Sequence, residues 1–216
     1  MTSVVLKKGR EDSLLRFHPW VFSGAIARLE GEEPREGDVV TVLSTSHDVM
    51  GCGHWQIGSI AVRMLCFGEA ELPSDFWVSR LSAALEMRRA LGLASSGGDT
   101  DCYRLVHGEG DSLPGLIIDC YGGVCVMQAH SAGMFLSRQE IASALREVYG
   151  PQLKAVYDKS SGTAPFKAGL ELGDGYLLGD GSALAQDAFV LENGHKFHVN
   201  WEEGQKTGFF LDQREN

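Results

Sequence analysis

The order of periodic segments in these 216 residues predicts an α+β fold in two parts, a small β-barrel and then a central domain ordered strand, strand, helix, strand, strand. Three observations carry this expectation. Five short runs rich in β-branched and aromatic residues, with one helical turn, fill roughly the first 70 residues, the spacing of a small barrel. A helix-period segment follows at 74–92. Beyond it, two tight-turn signals, Gly122-Gly123 and Asn193-Gly194, stand on either side of a second helical pattern at 132–149.

In the first part, Val4-Val5-Leu6 reads as a short strand and Gly9 to His18 as a helical turn. Pro19 holds His18 extended, so Trp20-Val21-Phe22 starts a strand. Glu36-Gly37-Asp38 turns into Val39–Leu43, and Ser46-His47-Asp48 turns into Val49–Trp55. Gly51 and Gly53 lie two apart on one face of that strand, which predicts a bulge or the close approach of another backbone. Ile60 to Cys66 closes the set.

Ser74 is the expected N-cap of the helix at 74–92; Phe76, Leu81 and Leu85 recur on one face, and Gly92 stops it. Arg88 and Arg89 near its end suit the helix dipole. After a loop at 94–100, strands are expected at Cys102–Val106 and at Leu116–Tyr121, the latter paired through Gly122-Gly123 with Val124–Gln128. Ile141, Leu145 and Val148 mark the second helix, which Gly150-Pro151 ends. Ala155–Asp158 is the next strand, and Phe189–Leu191 and Lys196–Val199 form a hairpin. Tyr176-Leu177-Leu178 lies strand-like between two Gly-Asp-Gly turns.

Composition narrows the function classes. No apolar run approaches the roughly 20 residues of a membrane span, and the N-terminal residues lack the pattern of a secretory signal, which leads to the expectation of a soluble, cytoplasmic protein. Cys52, Cys66, Cys102, Cys120 and Cys125 contain no Cys-x-x-Cys pair, and their odd number fits neither a disulfide framework nor a zinc site, so they read as reduced core residues and no metal is expected. None has a base nearby in sequence, so none reads as a nucleophile. A net charge of −10 argues against a general nucleic-acid binder. Residues 1–20 nevertheless hold Lys7, Lys8, Arg10 and Arg16 against Glu11 and Asp12, so any nucleic-acid surface is local.

Two carboxylates in a glycine-rich turn, Glu109 and Asp111, read as turn formers before catalysts, and His107 as a hydrogen-bonded loop residue. Trp20 and Phe22 read first as core. The run Gly204-Gln205-Lys206-Thr207-Gly208-Phe209-Phe210-Leu211-Asp212-Gln213-Arg214 is denser in hydrogen-bonding groups than a solvated tail needs. Its glycines would let the backbone approach a ligand, and residues 211–216 read as a helix opening.

That run, together with Arg104-Leu105-Val106-His107-Gly108-Glu109-Gly110-Asp111-Ser112-Leu113-Pro114-Gly115-Leu116-Ile117-Ile118-Asp119, resembles a family of S-adenosylmethionine-dependent RNA methyltransferases that includes large-subunit ribosomal RNA cytosine-5 enzymes. Lys7-Lys8-Gly9-Arg10, His18-Pro19-Trp20-Val21-Phe22 and Gly51-x-Gly53 with Ile60-Ala61-Val62-Arg63 resemble the PUA-like RNA-binding barrel fused to these enzymes. The resemblance implies a PUA-like barrel at 1–72, a linker helix and loop at 73–100, a central domain at 101–203 and the lead-in to a catalytic domain at 204–216. It implies RNA, ribosomal in the first instance, as partner, and it is compatible with a homodimer. Lys7, Lys8, Arg10, His18, Trp20 and Arg63 are the implied RNA contacts; Gln205, Lys206, Thr207, Phe209, Asp212 and Arg214 are the implied cofactor contacts.

One departure stands out: Tyr157-Asp158-Lys159-Ser160-Ser161 occupies the place of an Arg-Ser-Asp-like run. In this family the chemistry uses a glycine-rich loop in a Rossmann-like domain and a cysteine that attacks C6 of cytosine. No strand followed by Gly-x-Gly-x-Gly occurs here. The expectation is therefore an N-terminal part without the catalytic Rossmann-like domain: no catalytic residue, and S-adenosylmethionine bound by the full-length enzyme but not by these residues alone. The alternative from another class is a non-catalytic RNA-binding or adaptor protein.

Overall fold

The computed structural model describes residues 2–94, 97–165, 169–181, 184 and 188–214. Six strands make the first sheet: β1 (Ser3–Leu6), β2 (Trp20–Phe22), β3 (Ile26–Glu30), β4 (Val39–Leu43), β5 (Val49–Trp55) and β6 (Ile60–Phe67), with α1 (Asp12–Leu15) between β1 and β2. Their order is β2-β6-β5-β4-β1-β3, with β1 parallel to β4 and the other pairs antiparallel. The sheet curls around Val4, Leu6, Leu14, Val21, Val40, Val42, Val62 and Met64. β3 is the strand the sequence reading missed. Its Ala27, Arg28 and Leu29 are exposed, so it lacks the buried alternation by which a strand is recognised.

The glycine pair in β5 does both things its spacing predicts. The register shifts between Cys52 and Gly53, and a Cβ on Gly51 or Gly53 would stand 2.1 Å from the Cys66 carbonyl oxygen or 2.2 Å from that of Arg63. β6 lies too close to tolerate a side chain at either position.

α2 (Phe76–Ala90) begins one residue later than expected, with Asp75 rather than Ser74 at the N-cap and no side-chain cap bond. It carries Phe76, Leu81 and Leu85 into one cluster that also contains Cys52, Leu65 and Cys66 from the first sheet and Leu105, Ile118 and Met127 from the second. The helix is therefore the core shared by both parts rather than a free linker.

The second sheet is a meander of β7 (Cys102–His107), β8 (Leu116–Tyr121) and β9 (Val124–Ala129), extended by β10 (Ala155–Asp158) parallel to β9 and β11 (Gly175–Leu178) antiparallel at the edge. The expected helix at 132–149 is two, α3 (Ala132–Leu136) and α4 (Arg138–Tyr149), parted at Ser137. The expected fourth strand also differs. The hairpin β12 (Phe189–Glu192) and β13 (His195–His198) stands apart as a two-stranded sheet, and residues 175–178 complete the main one.

Alternation along each strand separates two interfaces. On one face Ile118, Cys120, Cys125 and Met127 pack under α2 and α4. On the other, Tyr121, Val124, Val126 and Tyr157 pack against Val190, Val199 and Trp201. Asp119, between Ile118 and Cys120, is thereby delivered to the second face.

Candidate functional site

The chain from Val199 to Arg214 lies across that second face, and a buried polar network fixes it there. Asp119 is fully buried and accepts from Arg104 Nε at 2.8 Å and Arg104 Nη2 at 3.0 Å, a two-pronged pair between register partners on β7 and β8. The Thr207 hydroxyl donates to Asp119 Oδ2 at 2.6 Å and lies 2.8 Å from the Tyr121 hydroxyl. Charge-assisted bonds of this kind are about twice as strong as neutral ones. Tyr121 stacks on buried Trp201, planes 9° apart. Lys159 Nζ donates to the carbonyls of Trp201 at 2.5 Å and Gly204 at 2.6 Å, and burial lowers its pKa. The residue that departs from the family run thus pins the start of this segment.

Gly204 and Gly208 serve the same packing. A Cβ on Gly204 would lie 2.2 Å from the Asn200 carbonyl oxygen; Gly208, at φ +121°, approaches Trp201 Cα. Their freedom from a side chain is used against the chain's own backbone. Arg214 donates to Glu192 Oε1 at 3.0 Å and to the Cys102 carbonyl at 2.6 Å, tying the segment's end to β12 and β7. The expected helix opening is a short 3-10 turn, Leu211–Gln213, and residues 215–216 lie outside the described ones.

Beside the segment opens a cleft of about 760 Å³ between α2, β7 and the 3-10 turn, with Met87, Leu91, Leu93 and Tyr103 as its apolar wall and Arg104, His107, Asp212 and Arg214 as polar ones. Its arginines are already engaged. Arg88 holds Asp111 in a two-pronged ion pair and donates to the Arg104 carbonyl, Arg104 holds Asp119, and Arg214 holds Glu192. Asp111 also accepts from the His107 amide at 2.6 Å, so it is a turn former, as its sequence context indicates.

The cofactor residues read from the sequence divide accordingly. Thr207 and Arg214 are committed to protein partners, and Phe209 packs on Phe197 with centroids 5.2 Å apart. Gln205, Lys206 and Asp212 are exposed, Lys206 at φ +52° with its ammonium over the Phe210 ring. Of the six, Asp212 and Arg214 line the cleft beside the segment, and Gln205, Lys206, Thr207 and Phe209 are not among its lining residues.

The RNA residues read from the sequence are better grouped. Lys7, Lys8, Arg10 and His18 are exposed on one end of the curled sheet. Lys7 Nζ donates to the Gly24 carbonyl at 2.8 Å. Arg10, His18, Trp20 and Phe22 line a pocket of about 360 Å³. His18 meets Trp20 edge to face, and Phe17 is 72% exposed at φ +60°. Trp20 is half-buried, and its indole N–H donates to Glu109 across to the second part at 2.9 Å. Arg63 is set back: half-buried, it donates to Gln56 Oε1 at 3.2 Å, the oxygen that also accepts from the Ala132 amide, and burial lowers its pKa.

A second junction escaped the sequence reading. His54 is 3% exposed, stacked on Trp77 at 6.3 Å, with Nδ1 lacking a hydrogen-bond partner among the described residues. Gly133 of α3 lies against the imidazole so closely that a Cβ there would sit 2.1 Å from His54 Cγ. Burial, aided by Arg63, pushes the His54 pKa down to about 4. Among the described residues no group of three or more His, Cys, Asp or Glu side chains could hold a metal ion, and no helix is long and apolar enough to cross a membrane.

A curled sheet with an exposed basic and aromatic end thus shares its core with a mixed α/β sheet. Residues 4–67 match the family model of a PUA-like domain. Along 99% of its length the chain is 40% identical to ribosomal RNA large subunit methyltransferase I of Erwinia tasmaniensis and 40% identical to that of Klebsiella pneumoniae, spanning 52% of each. The similarity to these ribosomal RNA large subunit methyltransferases runs through nearly the whole chain, which spans about half the length of the curated relatives it matches. Two solved structures, a candidate SAM-dependent methyltransferase from Streptococcus mutans and a candidate methyltransferase complexed with SAH, share the fold over 100% of the chain at a TM-score of 0.77 and 24% identity, each matched over 52% of its own length.

Proposed function

We propose that this chain is the RNA-recognising and anchoring portion of a S-adenosylmethionine-dependent methyltransferase that modifies C5 of a cytosine in 23S ribosomal RNA. The observation that carries the proposal is the 40% identity, over 99% of the chain, to ribosomal RNA large subunit methyltransferases. In this reading the first sheet presents Lys7, Lys8 and Arg10 to phosphates, with His18 and Trp20 alongside and Arg63 adding charge from behind. The second sheet holds the 204–214 segment rigid, so that Gln205, Lys206 and Asp212 face the cofactor from a fixed turn. The chain spans about half the length of these relatives, and the reading gives its own residues binding roles rather than methyl transfer.

Two measurements test the assignment. Lys7→Glu/Lys8→Glu reverses two charges on exposed positions and should leave the melting temperature almost unchanged. Its binding to structured ribosomal RNA fragments at low salt is expected to fall at least several-fold, and parental binding should itself weaken steeply as salt rises. Equal binding by the double variant would move recognition away from the basic end. For the cofactor, calorimetry on the 216-residue chain is expected to show no dissociation constant for S-adenosylmethionine below about 10 μM, equivalent to roughly −7 kcal/mol. Tighter binding would mean that the segment at 204–214 completes a pocket without further chain.

A further inference from the structure

We propose that Cys120 and Cys125 are a redox modification site, closing to a reversible disulfide across the β8–β9 hairpin when a small peroxide or a disulfide-forming oxidant reaches them. The two are direct register partners one step in from the two-residue Gly122-Gly123 turn. A pair at that step of a two-residue hairpin exchanges no main-chain hydrogen bonds, and its Cα atoms stand about 4.5 Å apart, inside the range a disulfide spans. Their sulfurs are already 3.2 Å apart. Both lie on the helix-facing side of the sheet, where the Tyr149 hydroxyl is 3.3 Å from Cys120 Sγ and 3.0 Å from the Tyr103 hydroxyl.

Cys120 is 3% exposed, and among the described residues a cleft reaches it. Cys120, Tyr103 and Tyr149 line a cleft of about 430 Å³ together with Gly122 and Gly123, whereas Cys125 is not part of its wall. The order of events follows from that placement. Cys120 sulfur attacks one oxygen of hydrogen peroxide, the O–O bond breaks and water leaves, giving a sulfenic acid. Cys125 sulfur then displaces that hydroxyl, and the Cys125 proton leaves with it as a second water. Two thiols are oxidised by two electrons and one peroxide is reduced, and a thiol reductant reverses the step. The Cys120 sulfur beside it and burial push the Cys125 thiol well up, which suits it to the second, resolving step rather than the first.

The nearest competitor is Cys52 with Cys66, also register partners, on β5 and β6. No cavity wall among those described includes either residue. The modification matters to the anchored segment because Cys120 stands between Asp119 and Tyr121, the two residues of β8 that hold Thr207 on the opposite face.

Peptide mapping separates the pairs. Trypsin leaves Cys120 and Cys125 within one peptide, residues 105–138, whereas Cys52 and Cys66 fall on different peptides, 36–63 and 64–80. After the native chain is treated with hydrogen peroxide or diamide and its remaining thiols are blocked, peptide 105–138 is expected to lose two hydrogens and carry no blocking group, and dithiothreitol should restore it. Cys120→Ser and Cys125→Ser should each abolish the change, and a sulfenic acid trapped by dimedone should appear in Cys125→Ser at Cys120. The proposal fails if peptide 105–138 stays reduced while the chain remains folded, if the loss needs denaturant, or if the disulfide formed joins peptides 36–63 and 64–80 instead.

Discussion

Replacing Asp119 with Ala is expected to destabilise the chain by about 3 kcal/mol, the low end of the cost of breaking a buried ion pair by removing one partner. The low end applies because the Arg104 side chain keeps 34% of its surface exposed and can recover some hydration. For a domain of this size that corresponds to a fall in melting midpoint of about 6–12 °C. The loss arises from three bonds at once: both prongs of Arg104 and the Thr207 hydroxyl lose their acceptor. Thr207→Val removes only one of these and should cost about 1 kcal/mol. Urea unfolding followed by tryptophan emission is suited to the comparison, because Trp201 stacks on Tyr121 inside the affected network. A loss below about 1 kcal/mol for Asp119→Ala would mean that the segment is held by Trp201 burial, Lys159 and Arg214 without a measurable share from Asp119.

Acidification is expected to weaken the chain through His54. Its folded pKa, about 4, lies below the ordinary 6.5, so the unfolded chain takes up the proton first. The stabilisation by neutral, buried imidazole is therefore complete above pH 6.5 and is lost as pH falls from 6.5 to 4, by about 3 kcal/mol in all. Protonation there would place a cation against Trp77 and the Gly133 backbone, with Arg63 as a like charge nearby. His54→Phe keeps a ring in the same slot and cannot be protonated. Unfolding free energies measured from pH 7 to pH 4 should fall by about 3 kcal/mol more in the parent than in the variant. Parallel curves would remove His54 from the account.

Much of the fold was legible in the residues because local rules and burial agree there. β7, β8 and β9 follow from apolar runs broken by Gly-Gly and Gly-Glu-Gly turns, and α4 from Ile141 and Leu145 four apart. β3 was not legible because its residues face water, and the standing of residues 175–178 in the main sheet depends on β10 accepting them as an edge partner. The barrel's basic and aromatic end could be read because its charges are contiguous in sequence. Asp119 offered a signal, an acid inside Leu-Ile-Ile-Asp-Cys-Tyr, but its meaning needed Arg104 opposite and Thr207 from 88 residues away.

The 204–214 run shows where sequence stops and tertiary structure begins. The sequence by itself determined that this chain carries a small set of strands, a helix and then a second α+β part, that its first twenty residues hold a local excess of positive charge, and that the 204–214 run is dense in glycine and hydrogen-bonding groups. It could not assign the partners of those groups. Thr207 and Arg214 look the same in the sequence whether they hold a cofactor or a neighbouring strand. Only the folded chain brings Asp119, Glu192 and the Cys102 carbonyl to them, because hydrogen bonds act over a few ångströms of space and are blind to distance along the chain.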